Sequence, residues 1–395
     1  MDAKRKEVFM TTQILEEEFS DAQMIARDSA RDFSEKRLKP LAQEMDEKEE
    51  IPQELLKEAA NLGFFGMMIP EQYGGLGLDY LGYVLAMEEL AKAAAAFQVG
   101  LTVHNSLVSS AILKFGTEEQ KEKYLPKAAS GEWIGSYSLS EPGSGTDAGS
   151  LKTTAVVDGD HYVLNGTKAW VTNAGRAQFF LVFASTTPAL KNKGISCLIV
   201  DKDTPGLSIG KKEKKLGIRA SDTREIRFVN ARVPRQNLLG EENHGFKIAL
   251  TQLNSGRIAI AAQSLGIARA AYEEALKYAK AREQFGRPIA DFQATQFKIA
   301  DMAVGIEASR LLTYQAARLM SLEKPCAKEA SMAKLFASQN CNKTCFEALQ
   351  IHGGNGYIRE FPVERYFRDA RVTEIYEGTS EIQRLIIARE VLSEK

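Results

Sequence analysis

A single carboxylate near the end of the chain, Glu377, is the first residue whose setting could support chemistry. It directly precedes Gly378, where the backbone can turn sharply or approach a ligand because there is no Cβ. Thr379 and Ser380 then offer hydroxyls that could cap the apolar, helical run Ile382–Ala388. A carboxylate at a loop-to-helix junction suits acid–base chemistry, but the more common case is a carboxylate that merely occupies the first turn, where the helix dipole favours it. This stretch alone leaves both interpretations open.

A glycine-rich segment, Tyr137–Ser150, is the second candidate. It contains the pattern G-x-G-x-x-A, but a dinucleotide-binding fingerprint requires a helix directly after the glycines, and strand-type residues follow here. A Walker loop is excluded because no Gly-Lys-Ser/Thr follows. What remains is either an ordinary surface turn or a loop whose amides and hydroxyls bind a polar ring or a phosphate. The hydroxyl-bearing residues are Ser138, Ser140, Ser144 and Thr146.

Three further features could contact a cofactor. Trp170 beside Thr172 could wall one face of a flat ring while the hydroxyl binds its edge, although tryptophan is often simple core filler. Arg282, at the end of a long helical stretch, suits a phosphate group or an ion pair with a glutamate. Gln350–Tyr357 is a second glycine-rich turn, where the backbone could approach a ligand or form a tight interhelical corner.

Composition restricts the class of protein. The chain has 395 residues, with 51 Lys+Arg against 52 Asp+Glu and no long basic block, so nucleic-acid binding is disfavoured. No apolar run approaches the roughly 20 residues that a membrane-spanning helix needs, which predicts a soluble protein. The first ten residues have no signal-type apolar core, and Glu16, Glu17 and Glu18 soon follow, whereas an import presequence is acid-poor and Arg-rich; this favours a cytoplasmic location. The cysteines form no CxxC pair, so we expect reduced thiols and no metal site; they are Cys197, Cys326, Cys341 and Cys345.

The elements that must position these residues fall into three parts. Residues 1–130 are rich in Ala, Glu, Leu and Lys and predict a helical domain, with helices over Asp21–Leu38, Pro52–Leu62 and Tyr80–Ala95. Residues 241–395 return to helical texture, and apolar residues at three- and four-residue spacing indicate helices that cover one another in a bundle.

Residues 131–240 are β-branched and glycine-punctuated, which predicts a middle β domain. Asp158-Gly159 and Asn165-Gly166 are dipeptides typical of tight hairpin turns. Strands follow strands without intervening helices, so we expect an antiparallel barrel or sandwich rather than a parallel βαβ sheet.

Five segments occur in the order found in one enzyme family: Ser138–Asp147, Trp170–Asn173, Arg282 with Gln284–Gly286, Gln350–Gly354 and Tyr376–Thr379. On these motifs the chain resembles the acyl-CoA dehydrogenases, most of all the short-chain, butyryl-CoA branch. The resemblance covers nearly the whole chain. It implies an N-terminal helical domain, a middle β domain and a C-terminal four-helix bundle, assembled as a homotetramer. It also implies the FAD-dependent oxidation of acyl-CoA to trans-2-enoyl-CoA in fatty acid β-oxidation, with electrons passed to an electron-transfer flavoprotein.

The resemblance also assigns residue roles, with Glu377 as the catalytic base. The residues implied to bind FAD are Tyr137, Leu139, Ser140, Thr146, Trp170, Val171, Thr172, Arg282, Phe285, Gln293, Gln350, Gly353, Gly354, Thr379 and Glu381. Those implied to meet the acyl-CoA are Thr146, Asn254, Arg257 and Gly378. No metal ligand is implied.

Some relatives place the base just before the arginine that matches Arg257, but Gly256 stands there and cannot serve. A glutaryl-type enzyme would need an arginine near Leu101–Leu107, and none is present. His104 in that stretch could reach the acyl pocket or be a packed histidine. An oxygen-using oxidase is a second hypothesis, although such chains typically extend further at the C-terminus. A catalytically silent helical scaffold is a third, and it predicts protein without flavin colour.

Overall fold

The computed structural model describes residues 19–393, in which helices precede and follow a central sheet along the chain. The first helices are α1 Asp21–Phe33, α2 Lys39–Lys48, α3 Gln53–Asn61, α4 Tyr80–Thr102, α5 Ser110–Phe115 and α6 Glu118–Ala129. All three helical stretches predicted from the sequence in this region are helical. The first of them continues into α2 through a π-helical turn, Ser34–Leu38.

Helix α4 is the central element of this part. Asp79 caps it by accepting a hydrogen bond from the Gly82 backbone N–H at 2.8 Å. Its backbone leaves helical geometry at Ala94 (φ −154°, ψ 92°), beside the predicted end at Ala95, and a second helical piece continues to Thr102. Nearly all of its side chains are buried, as expected for a helix that is hydrophobic on every side.

The middle part is one eight-stranded sheet. Its strands are β1 Gly135–Ser138, β2 Thr154–Asp158, β3 His161–Thr172, β4 Phe179–Ser185, β5 Ile195–Asp201, β6 Leu207–Lys212, β7 Thr223–Pro234 and β8 Leu238–Leu239. The order is β6-β7-β3-β2-β4-β5-β8, and β1 pairs with β4. Neighbours are antiparallel except where β4 meets β1 and β2 in parallel.

The two faces of β4 belong to different cores. Phe179, Leu181 and Phe183 pack with residues of α5 and α6. Phe180 and Val182 pack instead against side chains of β3 and β7. Both faces are therefore buried, because the sheet curls around a core of its own while its outer face rests on the N-terminal helices.

One predicted turn is correct and the other is wrong. Asp158 pairs with His161 across a tight hairpin, and Gly159 has a φ of 61°. Asn165-Gly166, by contrast, lies inside β3 as a local irregularity in its pairing with β7. Glycine is needed there for close approach rather than for a turn, since a Cβ at Gly166 would lie 2.4 Å from Oγ1 of Thr153.

The C-terminal part is a bundle of long helices. These are α7 Gly245–Ala281, α8 Gln293–Ser321, α9 Ala327–His352 and α11 Ser380–Ser393, with a short α10 Val363–Ala370. A small hairpin, β9 Glu283–Gln284 and β10 Arg287–Pro288, joins α7 to α8. Helix α7 packs against α4, α8 and α9 and so ties the two helical parts together. Within residues 19–393 no helix has the length and apolar character required to cross a membrane.

Candidate active site

Glu377 lies just before α11, in a backbone conformation that is uncommon for a residue with a side chain. Its φ is 53°, and that of Gly378 is 91°; such a conformation persists only where the surroundings enforce it. Gln383 Nε2 donates to the Glu377 carbonyl at 3.2 Å and to the Gly378 carbonyl at 2.8 Å. Lys334 Nζ donates to the same Gly378 carbonyl at 2.7 Å. Two buried side chains therefore hold the loop that presents the carboxylate.

The Glu377 carboxylate is directed into the protein. Its Oε2 is shielded from solvent and has no hydrogen-bond partner. A Cβ placed on Gly256 would lie 2.5 Å from that oxygen, so the carboxylate rests against the bare backbone of α7. Burial raises the pKa of Glu377 to about 7, and the nearby positive charges of Arg257 and Lys334 oppose the rise. This is the protonation behaviour expected of a base that works near neutral pH.

Four tyrosines from three parts of the chain surround this carboxylate: Tyr80 and Tyr83 of α4, Tyr137 of β1, and Tyr376 of the loop itself. Burial raises the pKa of each phenol, and the negative charge of Glu377 raises it further. The hydroxyls of Tyr83 and Tyr137 are buried without hydrogen-bond partners. Glu377 thus sits where the helical bundle, α4 and the sheet meet, in largely aromatic surroundings.

Two of the predicted acyl-CoA-binding residues, Asn254 and Arg257, lie beside Gly256 on α7. Arg257 is buried, and its Nη1 donates to Asn254 Oδ1 at 2.6 Å. Burial lowers the pKa of Arg257, and the Glu377 carboxylate counteracts this. The buried Nε of Arg257 has no hydrogen-bond partner. A cationic side chain with an uncommitted N–H group therefore stands next to the carboxylate, where it could meet a polar ligand.

The glycine-rich segment forms a loop from Leu139 to Thr153 that β3 holds in place. Lys168 of β3 is fully buried, and its Nζ donates to the Leu139 carbonyl at 3.1 Å and to Glu141 Oε1 at 2.8 Å. Glu141 in turn accepts from the backbone N–H groups of Lys152 at 2.6 Å and Thr153 at 2.9 Å. The two ends of the loop are therefore joined through one buried ion pair.

Substituting Lys168 tests this arrangement. We expect Lys168→Met to lower the free energy of unfolding by about 3 kcal/mol, because it leaves Glu141 as an uncompensated buried charge. Urea denaturation measures the change. A double variant, Lys168→Met with Glu141→Gln, should recover part of the loss. The exposed pair Lys123–Asp201, 2.9 Å apart, provides a control in which Lys123→Met should cost less than about 1 kcal/mol. Equal losses for the two single lysine variants would contradict the interpretation.

Trp170 is not core filler. It has a φ of 55°, at an irregularity in β3 between Lys168 and Val171, and its side chain is 59% exposed. Ala169 N–H donates to the Ser140 carbonyl at 2.9 Å, which brings the glycine-rich loop alongside the tryptophan. The structure therefore brings Leu139 and Ser140 together with Trp170, Val171 and Thr172. Val171 is buried and Thr172 half-buried, whereas Thr146 stands exposed further along the loop.

Other predicted residues form a second group at one end of the bundle. Arg282, Phe285 and Gln293 lie on or beside the β9–β10 hairpin, where Phe285 is 94% exposed. Gln350, Gly353 and Gly354 are exposed at the end of α9. The C-terminal ends of α7 and α9 are joined by two contacts. His352 of α9 stacks on Tyr278 of α7, with ring centroids 4.2 Å apart, and Asn355 Nδ2 donates to the Tyr278 hydroxyl at 2.9 Å.

Thr379 and Glu381 occupy the start of α11. Thr379 Oγ1 accepts from the Ile382 N–H at 3.5 Å, which confirms the predicted cap. Glu381 is exposed in the first turn.

His104 proves to be a packed histidine. It is fully buried, accepts a hydrogen bond from the Gly135 N–H at Nδ1 (3.0 Å) and contacts the Ala128 carbonyl through Nε2 at 3.1 Å. Because Nδ1 accepts, Nε2 carries the proton. Burial lowers the pKa of His104 to about 4. The four cysteines are free and buried, and residues 19–393 contain no cluster of three or more metal-binding side chains.

Sequence reasoning missed Lys334, Gln383 and the buried pair of Lys168 with Glu141. A signal was present for Lys334, which lies at helical spacing from Ala330 and Ala337 on the small, apolar face of α9. A lysine on such a face must be buried, and a buried lysine requires hydrogen-bond partners. No comparable spacing in the sequence marks Gln383, Lys168 or Glu141 as buried.

Three family models match successive parts of this chain: "Acyl-CoA dehydrogenase, N-terminal domain" at residues 20–132, the "middle domain" at 136–231 and the "C-terminal domain" at 243–392. The chain is 51% identical over 375 residues to a mitochondrial short-chain specific acyl-CoA dehydrogenase of Bos taurus, covering 95% of this chain and 91% of that one.

Two solved structures are similar throughout. The butyryl-CoA dehydrogenase of Megasphaera elsdenii has a TM-score of 0.93 and 45% identity, covering 95% of this chain and 99% of that one. A chain from work on the electron transferring flavoprotein of Acidaminococcus fermentans has a TM-score of 0.94 and 46% identity, with the same coverage.

Proposed function

Because this chain belongs to the acyl-CoA dehydrogenase family, we propose that it performs the FAD-dependent α,β-dehydrogenation of a short-chain acyl-CoA thioester. The observation that carries the proposal is Glu377, a buried carboxylate with an unpartnered Oε2 and a pKa raised to about 7. The short-chain preference is supported by the 51% identity to a short-chain specific relative and by the similarity to a butyryl-CoA dehydrogenase. Short branched acyl groups are included in the proposal.

The residues present fit FAD. Trp170 offers an exposed indole face beside Ser140, and the Tyr137 hydroxyl and Ser138 Oγ are buried without partners. A flat ring with a polar edge could stack on the Trp170 indole and form hydrogen bonds near the Tyr137 hydroxyl and Ser138 Oγ. We assign the flavin ring to Leu139, Ser140 and the stretch Trp170–Thr172. The adenine and pyrophosphate end would then be held by the second group, which consists of Arg282, Phe285, Gln293, Gln350, Gly353 and Gly354.

In the proposed mechanism Glu377 removes the α-proton of the thioester. The proton passes to the carboxylate, and its buried, uncommitted Oε2 is free to accept it. Exclusion of water raises the proton affinity of Glu377, and the positive charges of Arg257 and Lys334 keep it from being permanently protonated. Gly256 leaves room for the carboxylate itself, since a Cβ there would lie 2.5 Å from Oε2. Bound FAD supplies the acceptor for the hydride that leaves the β-carbon.

Electrons then leave to an electron-transfer flavoprotein in this proposal, which is supported by the 46% identity to the Acidaminococcus chain. The central test is an anaerobic titration with acyl-CoAs of increasing length while the flavin absorbance is followed. We expect bleaching, strongest for a short acyl group. Protein that carries flavin but is not bleached by any short or medium acyl-CoA would exclude the proposal. Protein without flavin would favour the scaffold hypothesis, and rapid reoxidation of the bleached enzyme by air would favour the oxidase hypothesis.

The pH dependence follows from Glu377. Its raised pKa means that the carboxylate is protonated, and unable to accept a proton, below about pH 7. The value of kcat/KM should therefore fall roughly tenfold per pH unit on the acid side of neutrality and level off above it. Stopped-flow flavin reduction at limiting substrate measures this profile. An acid limb near the ordinary glutamate pKa would contradict the role of the buried carboxylate.

We also propose a homotetramer in the cytoplasm. The oligomer is supported by apolar residues that helix α8 exposes at seven-residue intervals, Phe297, Val304 and Leu311, and by the exposed Phe285 on the adjacent hairpin. A single chain would leave these surfaces in water. Light scattering of the purified protein gives its mass and tests the assembly.

A further inference from the structure

Lys334 is a buried cation that no step above requires as a reactant. It lies on α9 with a fully buried side chain, and its neighbours one turn away on that face are Ala330 and Ala337. Its Nζ donates to the Gly378 carbonyl at 2.7 Å. Burying an ammonium group is costly unless it is hydrogen-bonded and near negative charge, so its placement demands a compensating interaction.

The group that Lys334 holds is the Gly378–Thr379 peptide, one residue beyond the proton acceptor. The Gly378 carbonyl accepts from both Lys334 Nζ and Gln383 Nε2, while Gln383 Nε2 also reaches the Glu377 carbonyl. Glu377 and Gly378 both have positive φ values. Rotation of the Gly378–Thr379 peptide out of this conformation would break both hydrogen bonds to the Gly378 carbonyl at once and release the loop that presents the carboxylate.

Lys334 also contributes to the charge that Glu377 experiences. The groups facing Glu377 are Arg257 from α7, Lys334 from α9, Tyr80 and Tyr83 from α4, Tyr137 from β1 and Tyr376 from the loop. Only Arg257 and Lys334 among these are cationic. Burial lowers the pKa of Lys334 to about 8. The negative charges of Glu377, Glu374 and Glu381 act to raise this pKa, and the positive charge of Arg257 acts to lower it.

We propose that Lys334 is a positioning residue for the proton-abstracting carboxylate: it holds the Gly378–Thr379 peptide, directly after Glu377–Gly378, and places a positive charge beside Glu377. The proposal rests on the proposed role of Glu377 as the base. A neutral donor could hold the carbonyl but could not stabilise the ionised carboxylate. The lysine performs both tasks from one side chain.

The test uses Lys334→Met, which removes both the hydrogen bond and the charge, and Lys334→Arg, which keeps the charge. Lys343→Met is the matched control, since Lys343 lies on the same helix but is exposed. Infrared difference titration of the substrate-free enzyme follows the carboxylic acid band of Glu377, identified by its loss in Glu377→Gln. We expect the midpoint to rise by about half a pH unit or more in Lys334→Met, to stay near that of the unsubstituted enzyme in Lys334→Arg, and to be unchanged in Lys343→Met.

Enzyme kinetics provide the second measurement. The acid limb of kcat/KM should move upward with the infrared midpoint, and kcat at neutral pH should fall more than the affinity for acyl-CoA. Should Lys334→Met fail to fold, Lys334→Gln can replace it, because it removes the charge but keeps a polar side chain. We expect the same rise in the infrared midpoint of Glu377 in Lys334→Gln. An unchanged midpoint in either folded variant would overturn the role of Lys334 even if acyl-CoA bleaches the flavin. Absence of bleaching in the unsubstituted enzyme would instead overturn the proposed function, and the infrared titration would still report on Lys334.

Discussion

Glu377→Gln should retain FAD and still bind acyl-CoA, but its flavin should be reduced about a thousandfold more slowly or worse. A general base contributes roughly 10²- to 10⁴-fold to such a step, and an amide of the same shape cannot take the proton. The fold should be preserved, because Oε2 makes no hydrogen bond that the amide would have to replace. Removing a buried carboxylate is expected to leave stability unchanged or slightly improved.

Stopped-flow reduction with the best acyl-CoA measures the loss, and the flavin spectrum with an added non-reducible acyl-CoA analogue measures binding. Glu390→Gln is the matched control, since it makes the same chemical change on α11, in a residue that pairs with the adjacent Arg389 at 2.7 Å. It should reduce at the normal rate. Near-normal reduction by Glu377→Gln would place the base elsewhere in the site.

Gly256→Ala should lower the rate of flavin reduction by about a hundredfold while leaving the protein folded. The added Cβ would lie 2.5 Å from the Glu377 Oε2 and 3.1 Å from Leu107 Cδ2. The carboxylate is the nearer of the two neighbours and lies too close to the added Cβ, so it must move, and a displacement near 1 Å can cost about 10²-fold. Stopped-flow reduction and thermal unfolding, measured together, separate this loss from a loss of stability.

A double-variant cycle identifies the cause of that loss. If the methyl group acts by displacing the carboxylate, Gly256→Ala should add little to the defect of Glu377→Gln, because no proton acceptor remains to be misplaced. If the rate losses of Gly256→Ala and Glu377→Gln multiply fully in the double variant, the methyl group obstructs the substrate instead.

Ordered motifs and local periodicity made much of this protein predictable from its sequence. The early helices, the middle β region and the helical C-terminal part follow from apolar spacing and turn dipeptides, which act between residues close in the chain. The error at Asn165-Gly166 shows the limit of that reasoning. The dipeptide favours a turn locally, but pairing with β7 keeps β3 extended, and Gly166 serves the close approach of Thr153.

The family resemblance, read from the sequence, also singled out Glu377 as a candidate base and Gly256 as a position that cannot hold one. Only the tertiary structure placed that carboxylate against Gly256 and surrounded it with Tyr80 and Tyr137 from distant segments. The proton affinity of Glu377 depends on burial and on charges from α7 and α9, and neither is a property of the residues next to it in the chain. The same holds for Lys334, whose partner is a backbone carbonyl 44 positions further along the chain. Motifs identify which groups are available, but desolvation and charge depend on distance in space, so folding decides what those groups can do.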